Sequence, residues 1–160
     1  HGDPAAFPAA RVPGRIPHYV VGAAVTLDRR GRVLIARRRD DAMLGGLWEF
    51  PGGKVEPGET LPGCIRRELI EEMGVTVAVG RPLVVVRHAY SHFTIELHAH
   101  LCAVESGRPK PIHCSAVAWI DPADAGDYAF SRADLRILDA IRSSGSGSPR
   151  TARGRAPARD

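Results

Sequence analysis

GKVEPGETLPGCIRRELIEEMGV runs from Gly53 to Val75, and its pattern predicts a helix over 61–73. Thr60 is suited to the N-cap, Pro62 is tolerated in the first turn, and Gly74 supplies the stop. Glu68, Glu71 and Glu72 stand at i, i+3 and i+4, so they share one side of that helix, within an arc of about 100°. The neighbouring arc holds Ile65, Leu69, Ile70 and Met73, which are expected to face the core, with the carboxylates along the flank of the buried stripe. Three like charges so close destabilise a helix. A hard divalent cation reverses that, because Mg²⁺ takes oxygen ligands from carboxylates, waters and phosphates. Glu59 adds a fourth carboxylate from the preceding loop. The alternative is a solvated acidic face countered by Arg66 and Arg67.

On the N-terminal side, His18–Leu27 reads as a mostly buried strand, followed by a turn at Asp28–Gly31 and a second strand at Val33–Arg37. Leu47–Phe50 is a short strand ending at Pro51-Gly52-Gly53. Beyond the helix, Val75–Val79 and Leu83–His88 suit two strands. Phe93–Val104 alternates, with Ile95, Leu97, Ala99 and Leu101 on one face and Thr94, Glu96, His98 and His100 on the other, polar one. Val117–Ile120 is a last strand. Ser131 then caps a helix with Asp134 at the acidic third position of a capping box. Many strands and two helices predict an α/β sandwich with a mixed sheet.

The chain's 160 residues, 44% hydrophobic and 25% charged, fit one globular domain. No apolar stretch reaches the roughly 18 residues of a membrane span, so no membrane partner is expected, and the first residues lack the order of a signal peptide. Cys64, Cys102 and Cys114 have neither disulfide nor zinc-site spacing and suit a reducing cytoplasm. The formal charge of +4 lies in the ends. Residues 144–160 carry four Arg and one Asp, and residues 1–17 carry Arg11, Arg15 and Asp3, which leaves zero for 18–143. Nucleic acid is therefore not an expected partner. Residues 1–16 are expected to be a flexible segment, 17–142 the domain, and 143–160 a disordered Arg/Ser/Gly-rich tail.

The central segment matches in full the pattern of the Nudix hydrolase family. Gly53 is followed after five residues by Glu59, and after seven more by Arg67-Glu68-Leu69, Glu71-Glu72 and Gly74-Val75. The resemblance implies an α/β (α+β) Nudix fold, an α/β/α sandwich with a mixed β-sheet. It also implies hydrolysis of a nucleoside diphosphate linkage with Mg²⁺, for which Mn²⁺ can substitute. Carried over position by position, it places Glu68, Glu71, Glu72 and the main-chain carbonyl of Gly52 at the metal. It pairs Glu59 with Arg67 and assigns Glu68 as general base, with Glu71 or Glu72 as alternatives. Water, deprotonated with the help of that carboxylate, attacks phosphorus while the metal neutralises phosphate charge.

Outside this box, LIARRRDDAMLGGLWEFPGGKVEPGE resembles the MutT branch, whose members hydrolyse 8-oxo-dGTP to monophosphate and pyrophosphate. On that match Arg38 would bind the triphosphate with Lys54 nearby, Tyr90 would lie by the base, and Asp134 of Phe130-Ser-Arg-Ala-Asp134 would read the purine edge. Each also has a plainer explanation: a basic strand end, a half-buried aromatic, a helix cap. The implied substrate is an oxidised purine dNTP, in nucleotide-pool sanitation linked to DNA repair. CTP, dCTP or another nucleoside diphosphate derivative is the alternative within the family. A monomer or homodimer is expected. Ile112–Ser115 contains no acid where some relatives carry an additional metal ligand, which leaves that ligand missing or replaced by His113. His88–Phe93 (HAYSHF) is similar to the C-terminal domain of adenine glycosylases, so a non-catalytic 8-oxoguanine-binding module is the rival reading. The intact carboxylate set favours the enzyme.

Overall fold

The computed structural model describes residues 16–144. In chain order these form β1 (His18–Thr26), β2 (Val33–Arg37), β3 (Trp48–Glu49), β4 (Gly52–Lys54), α1 (Leu61–Met73), β5 (Thr76–Ala89), β6 (Thr94–Ser106), β7 (Ala116–Ile120), a 3₁₀ helix (Pro122–Asp127) and α2 (Arg132–Ser144). The expected segment 1–16 and the tail lie almost wholly outside the described residues, although α2 takes in Ser143 and Ser144. Among the described residues no helix is long and apolar enough to cross a membrane.

β1 is central because its small residues admit close neighbours on both sides. It runs parallel to β6, with Gly22 opposite His98, and antiparallel to β4, with Gly22 opposite Gly53. The resulting mixed sheet has the order β4-β1-β6-β5, and a second, antiparallel sheet has the order β3-β2-β7. Alternate residues of β1 and β2 enter opposite cores, as a strand's two-residue period requires. Ala24, Leu34 and Ala36 join Ile65, Leu69 and Met73 of α1. Ala23, Val25, Val33 and Ile35 join Ile137 and Leu138 of α2. Helices cover both faces, which gives the expected α/β/α sandwich.

Helix α1 is capped as expected. Thr60 Oγ1 accepts from the Gly63 N–H at 3.0 Å, and Gly74, at φ 72°, donates to Ile70 O at 3.0 Å. Its faces need correction. Taking Ile65 as zero and about 100° per residue, Leu69 and Met73 fall near 40° and 80° but Ile70 near 140°. Ile70 is indeed 51% exposed. Glu72 and Glu68 fall near −20° and −60° on the same wheel, inside the arc from Cys64 to Met73, not on its flank.

The region expected to hold two strands is the single strand β5. Its pairing with β6 shifts register between Val79 and Pro82 and again between Pro82 and Val84. A bulge accommodates a proline that has no N–H to give the ladder. His100, expected on a polar face, is buried beneath this bulge with its Nδ1 3.0 Å from Gly80 O.

Leu69→Ala should lower the unfolding free energy by about 2–5 kcal/mol, whereas Ile70→Ala should change it by less than about 1 kcal/mol. Urea denaturation of the two variants distinguishes this helix orientation from the one expected from the sequence.

Candidate active site

Two glycines, Gly22 and Gly53, let the acidic helix lie against the sheet, and Gly52 lets β4 approach β1. A Cβ on Gly53 would occupy the place of the Glu68 carboxylate, and one on Gly52 would overlap the Gly22 carbonyl. Glycine at 53 therefore lets the side chain of α1 lie against the backbone of β4.

Arg67 collects the surrounding carboxylates. Its Nε donates to Glu59 Oε2 at 2.7 Å and its Nη2 to Glu59 Oε1 at 3.0 Å, so the expected pair is bidentate. Nη1 donates to Glu68 Oε2 at 2.9 Å and to Glu71 Oε1 at 3.3 Å, and Nη2 also reaches Lys54 O at 3.2 Å. Hydrogen bonding from Arg67 holds the Glu59 carboxyl below its ordinary range, overcoming a small burial effect. The guanidinium in turn is pushed further toward the charged form, chiefly by Glu59.

Glu72 is placed differently. Its Oε1 is shielded from solvent and has no hydrogen-bond partner. Burial pushes its pKa well above the usual carboxylate range, Glu49 and Glu68 add to the rise, and Arg38 opposes it. Its main chain is clamped, because the Ile112 and His113 N–H groups donate to Glu72 O at 3.1 and 3.0 Å. The acid-free stretch before β7 thus holds the last turn of α1 through its backbone, and the His113 side chain is exposed. Among the described residues no three acidic, His or Cys side chains converge as a ready ligand set, since Glu68 and Glu71 are turned to Arg67. The orphaned Glu72 oxygen amid like charge nevertheless fits a cation's needs.

Glu49 was not foreseen as a site residue. It lies on β3 opposite Ala36, and its Oε1 accepts from Arg38 Nη1 at 3.2 Å. Burial, opposed by Arg38 and aided by Asp134 and Glu68, pushes it up to about 7. The available signal was its place as the acid of Leu-Trp-Glu-Phe, antiparallel to the strand that ends in Arg37-Arg38. Arg38 is anchored a second time, with Nε donating to Met43 O at 2.6 Å.

Asp134 occupies the buried first turn of α2. It accepts from Phe50 N–H at 3.1 Å and from the Ser131 hydroxyl at 2.6 Å, and Ser131 Oγ accepts from the Asp134 N–H at 3.4 Å, so Ser131 caps the helix while the Asp134 carboxylate orients that cap and ties α2 to the end of β3. Tyr90 packs edge-on to His88 at 4.5 Å and near Phe93 at 4.9 Å, and its hydroxyl accepts from Ala133 N–H at 3.4 Å. Lys54 Nζ lies 4.9 Å from the centre of the Tyr19 ring. Arg38 therefore acts electrostatically on Glu49, Glu72 and Asp134, and Asp134 on Glu49, while Tyr90 and Lys54 lie on neighbouring aromatic surfaces.

A family model described as "NUDIX domain" matches residues 22–140. The chain is 35% identical over 118 residues to the "CTP pyrophosphohydrolase" of Escherichia coli, covering 74% of this chain and 87% of that one. It is 40% identical over 77 residues to the "8-oxo-dGTP diphosphatase" of Proteus vulgaris, covering 47% and 69% respectively. Among solved structures it resembles the solution structure of the "E. coli ORF135 protein", with TM-score 0.70, 33% identity and coverage of 85% of this chain and 96% of that chain. The fold is also shared with the "MutT protein from Methanosarcina mazei Go1" at TM-score 0.73 and 22% identity, covering 84% and 99%.

Burial pushes the Asp134 carboxyl up to about 6, against the opposing effects of Ser131, Phe50 and Arg38. An acid raised in the folded state favours folding below its unfolded value and loses that contribution as pH rises through its folded one. Asp134→Asn, which keeps the shape without the charge, should therefore gain stability relative to wild type as pH rises from 3.8, the ordinary value, to about 6, and hold that gain above it. Equal pH profiles in chemical denaturation would contradict the buried charge.

Proposed function

Because the chain belongs to the Nudix domain family and is a MutT-like Nudix hydrolase, we propose that it cleaves nucleoside triphosphates to monophosphate and pyrophosphate, with oxidised purine dNTPs such as 8-oxo-dGTP as leading substrates. The observation that carries this reading is the unpartnered, shielded oxygen of Glu72 beside Glu68 and Glu49. Nudix hydrolases generally use divalent metals. Here Glu72, Glu68, Glu71 and the Gly52 carbonyl would hold Mg²⁺ or Mn²⁺. The chemistry such a cation supplies is neutralisation of phosphate charge and orientation of the attacking water. Glu68, lying against Gly53, takes the proton from that water, with Glu71 and Glu72 as alternative bases. Arg67 holds Glu68 and Glu71 in register. Arg38 grips the triphosphate with Lys54 nearby, Tyr90 offers a face to the base, and Asp134 reads the base edge. The enzyme acts in the cytoplasm in nucleotide-pool sanitation, as a monomer or homodimer, without membrane or nucleic-acid partners.

A second reading, CTP or dCTP as substrate, has its own support. An ionised Asp134 can only accept hydrogen bonds, and both its oxygens already accept from Phe50 and Ser131. Such a group suits an exocyclic amine, and the E. coli relative matched over 118 residues is named for CTP.

A panel of canonical and oxidised nucleotides with Mg²⁺ or Mn²⁺, scored for pyrophosphate against orthophosphate, separates these readings. Binding of 8-oxoguanine nucleotides without turnover would instead support a recognition module. Glu72→Gln should lower kcat by about 10²–10⁴-fold, on the scale of losing a positioned acid–base or metal-holding group, while the melting temperature is kept. Near-full activity would refute the site. Asp134→Ala should reorder the base preferences and leave pyrophosphate as the product, and an unaltered ranking would remove Asp134 from base recognition.

A further inference from the structure

Arg38 is held in an unusual way for a side chain expected to meet substrate. Nε is bound by Met43 O at 2.6 Å and Nη1 by Glu49 Oε1 at 3.2 Å, while Nη2 makes no hydrogen bond to another described residue. Two anchors on a planar fork fix its plane as well as its position. The main chain reinforces this, because Arg38 N donates to Leu47 O at 2.9 Å and Gly46 N donates to Arg38 O at 3.0 Å.

Glu49 stays in an unfavourable place to provide one of those anchors. Only 17% of its side chain is exposed, and the Asp134 and Glu68 carboxylates both act against its charge. A shielded ion pair contributes little net stability compared with an apolar pair of similar volume. Local violations of this kind concentrate at functional sites. Holding a long side chain in one geometry before substrate arrives removes an ordering cost from binding.

We infer that Glu49 is a positioning residue, which orients Arg38 so that its remaining donors meet the phosphate chain of the substrate. This rests on the triphosphate reading above. The role is distinct from helping to hold metal and from reading the base, since it acts through a single guanidinium.

The test is a double-mutant cycle in the full chain with Mg²⁺, using the best nucleotide of the panel and inorganic pyrophosphate as competing ligand. Glu49→Ala should raise both KM and the pyrophosphate inhibition constant by about tenfold, with a smaller effect on kcat. In an Arg38→Ala background the same substitution should change each by less than about twofold. Glu49→Gln, which keeps an acceptor oxygen at the same reach, should recover part of the loss, and it carries the cycle if Glu49→Ala does not fold. Unchanged KM and inhibition constant in a folded Glu49 variant, or equal losses with and without Arg38, would overturn the inference. A wild-type chain that hydrolyses no triphosphate would overturn the functional reading itself, a result seen before any variant is compared.

Discussion

Arg67 gathers Glu59, Glu68 and Glu71 around one guanidinium, and the seating of α1 on the sheet depends on it. Glu59 belongs to the loop before the helix and Lys54 O to β4, so this cation joins loop, strand and helix. Hydrogen bonds to charged groups contribute about 1.5–3 kcal/mol each where water is excluded, and less where solvent screens them. Without the guanidinium, the same carboxylates would repel one another along the turn and the helix would lose its register with Gly53. The strand interior supplies the complementary condition, since Gly22 and Gly53 leave no side chain between them and the helix, and Gly52 lets β4 lie close against β1.

The acids outside Arg67's reach are a different population. Glu72, Glu49 and Asp134 are all raised above the usual carboxylate range, with burial as the largest cause each time. Arg38 opposes the rise in all three but does not cancel it. The fold therefore retains a local excess of acidic groups in a shielded region. A fold selected for stability alone would replace such groups with apolar ones, and an arrangement of this kind is what a cation and a phosphate chain would jointly complete.

The architecture was largely legible because it rests on local signals. The alternation of β6 put Leu97 and Ala99 in the core, and the caps Thr60 and Gly74 bounded α1 where the structure bounds it. What failed were inferences requiring a three-dimensional partner. Ile70 reads as core by chemistry, but the wheel turns it outward and turns Glu72 inward. An apolar residue and a carboxylate thus exchange the places that hydrophobicity alone assigns. Gly80-Arg81-Pro82 reads as a break, yet pairing with β6 carries the strand across it as a bulge. Glu49 could not be found by spacing because its meaning lies in Arg38, eleven residues away and across a strand pair. For Asp134 the sequence posed cap against base reader; Ser131 Oγ accepts from the Asp134 N–H as that spacing implied, while the tie from its carboxylate to the Phe50 N–H needed a partner 84 residues away.

The segment leading into β7 grips α1 chiefly through its backbone, with the buried Cys114 packing beside Met73. Lys110, Ile112 and His113 present main-chain N–H groups to the carbonyls of Met73 and Glu72, and Ser115 N–H continues the segment to Arg37 O. Backbone donors are indifferent to residue type, proline excepted, but not to chain length. Replacements other than proline at the exposed Lys110, Ile112 and His113 keep these bonds, whereas insertion or deletion of a single residue displaces the whole ladder. That connection acts as a ruler, fixing the distance between the end of the acidic helix and the strand that delivers Arg38.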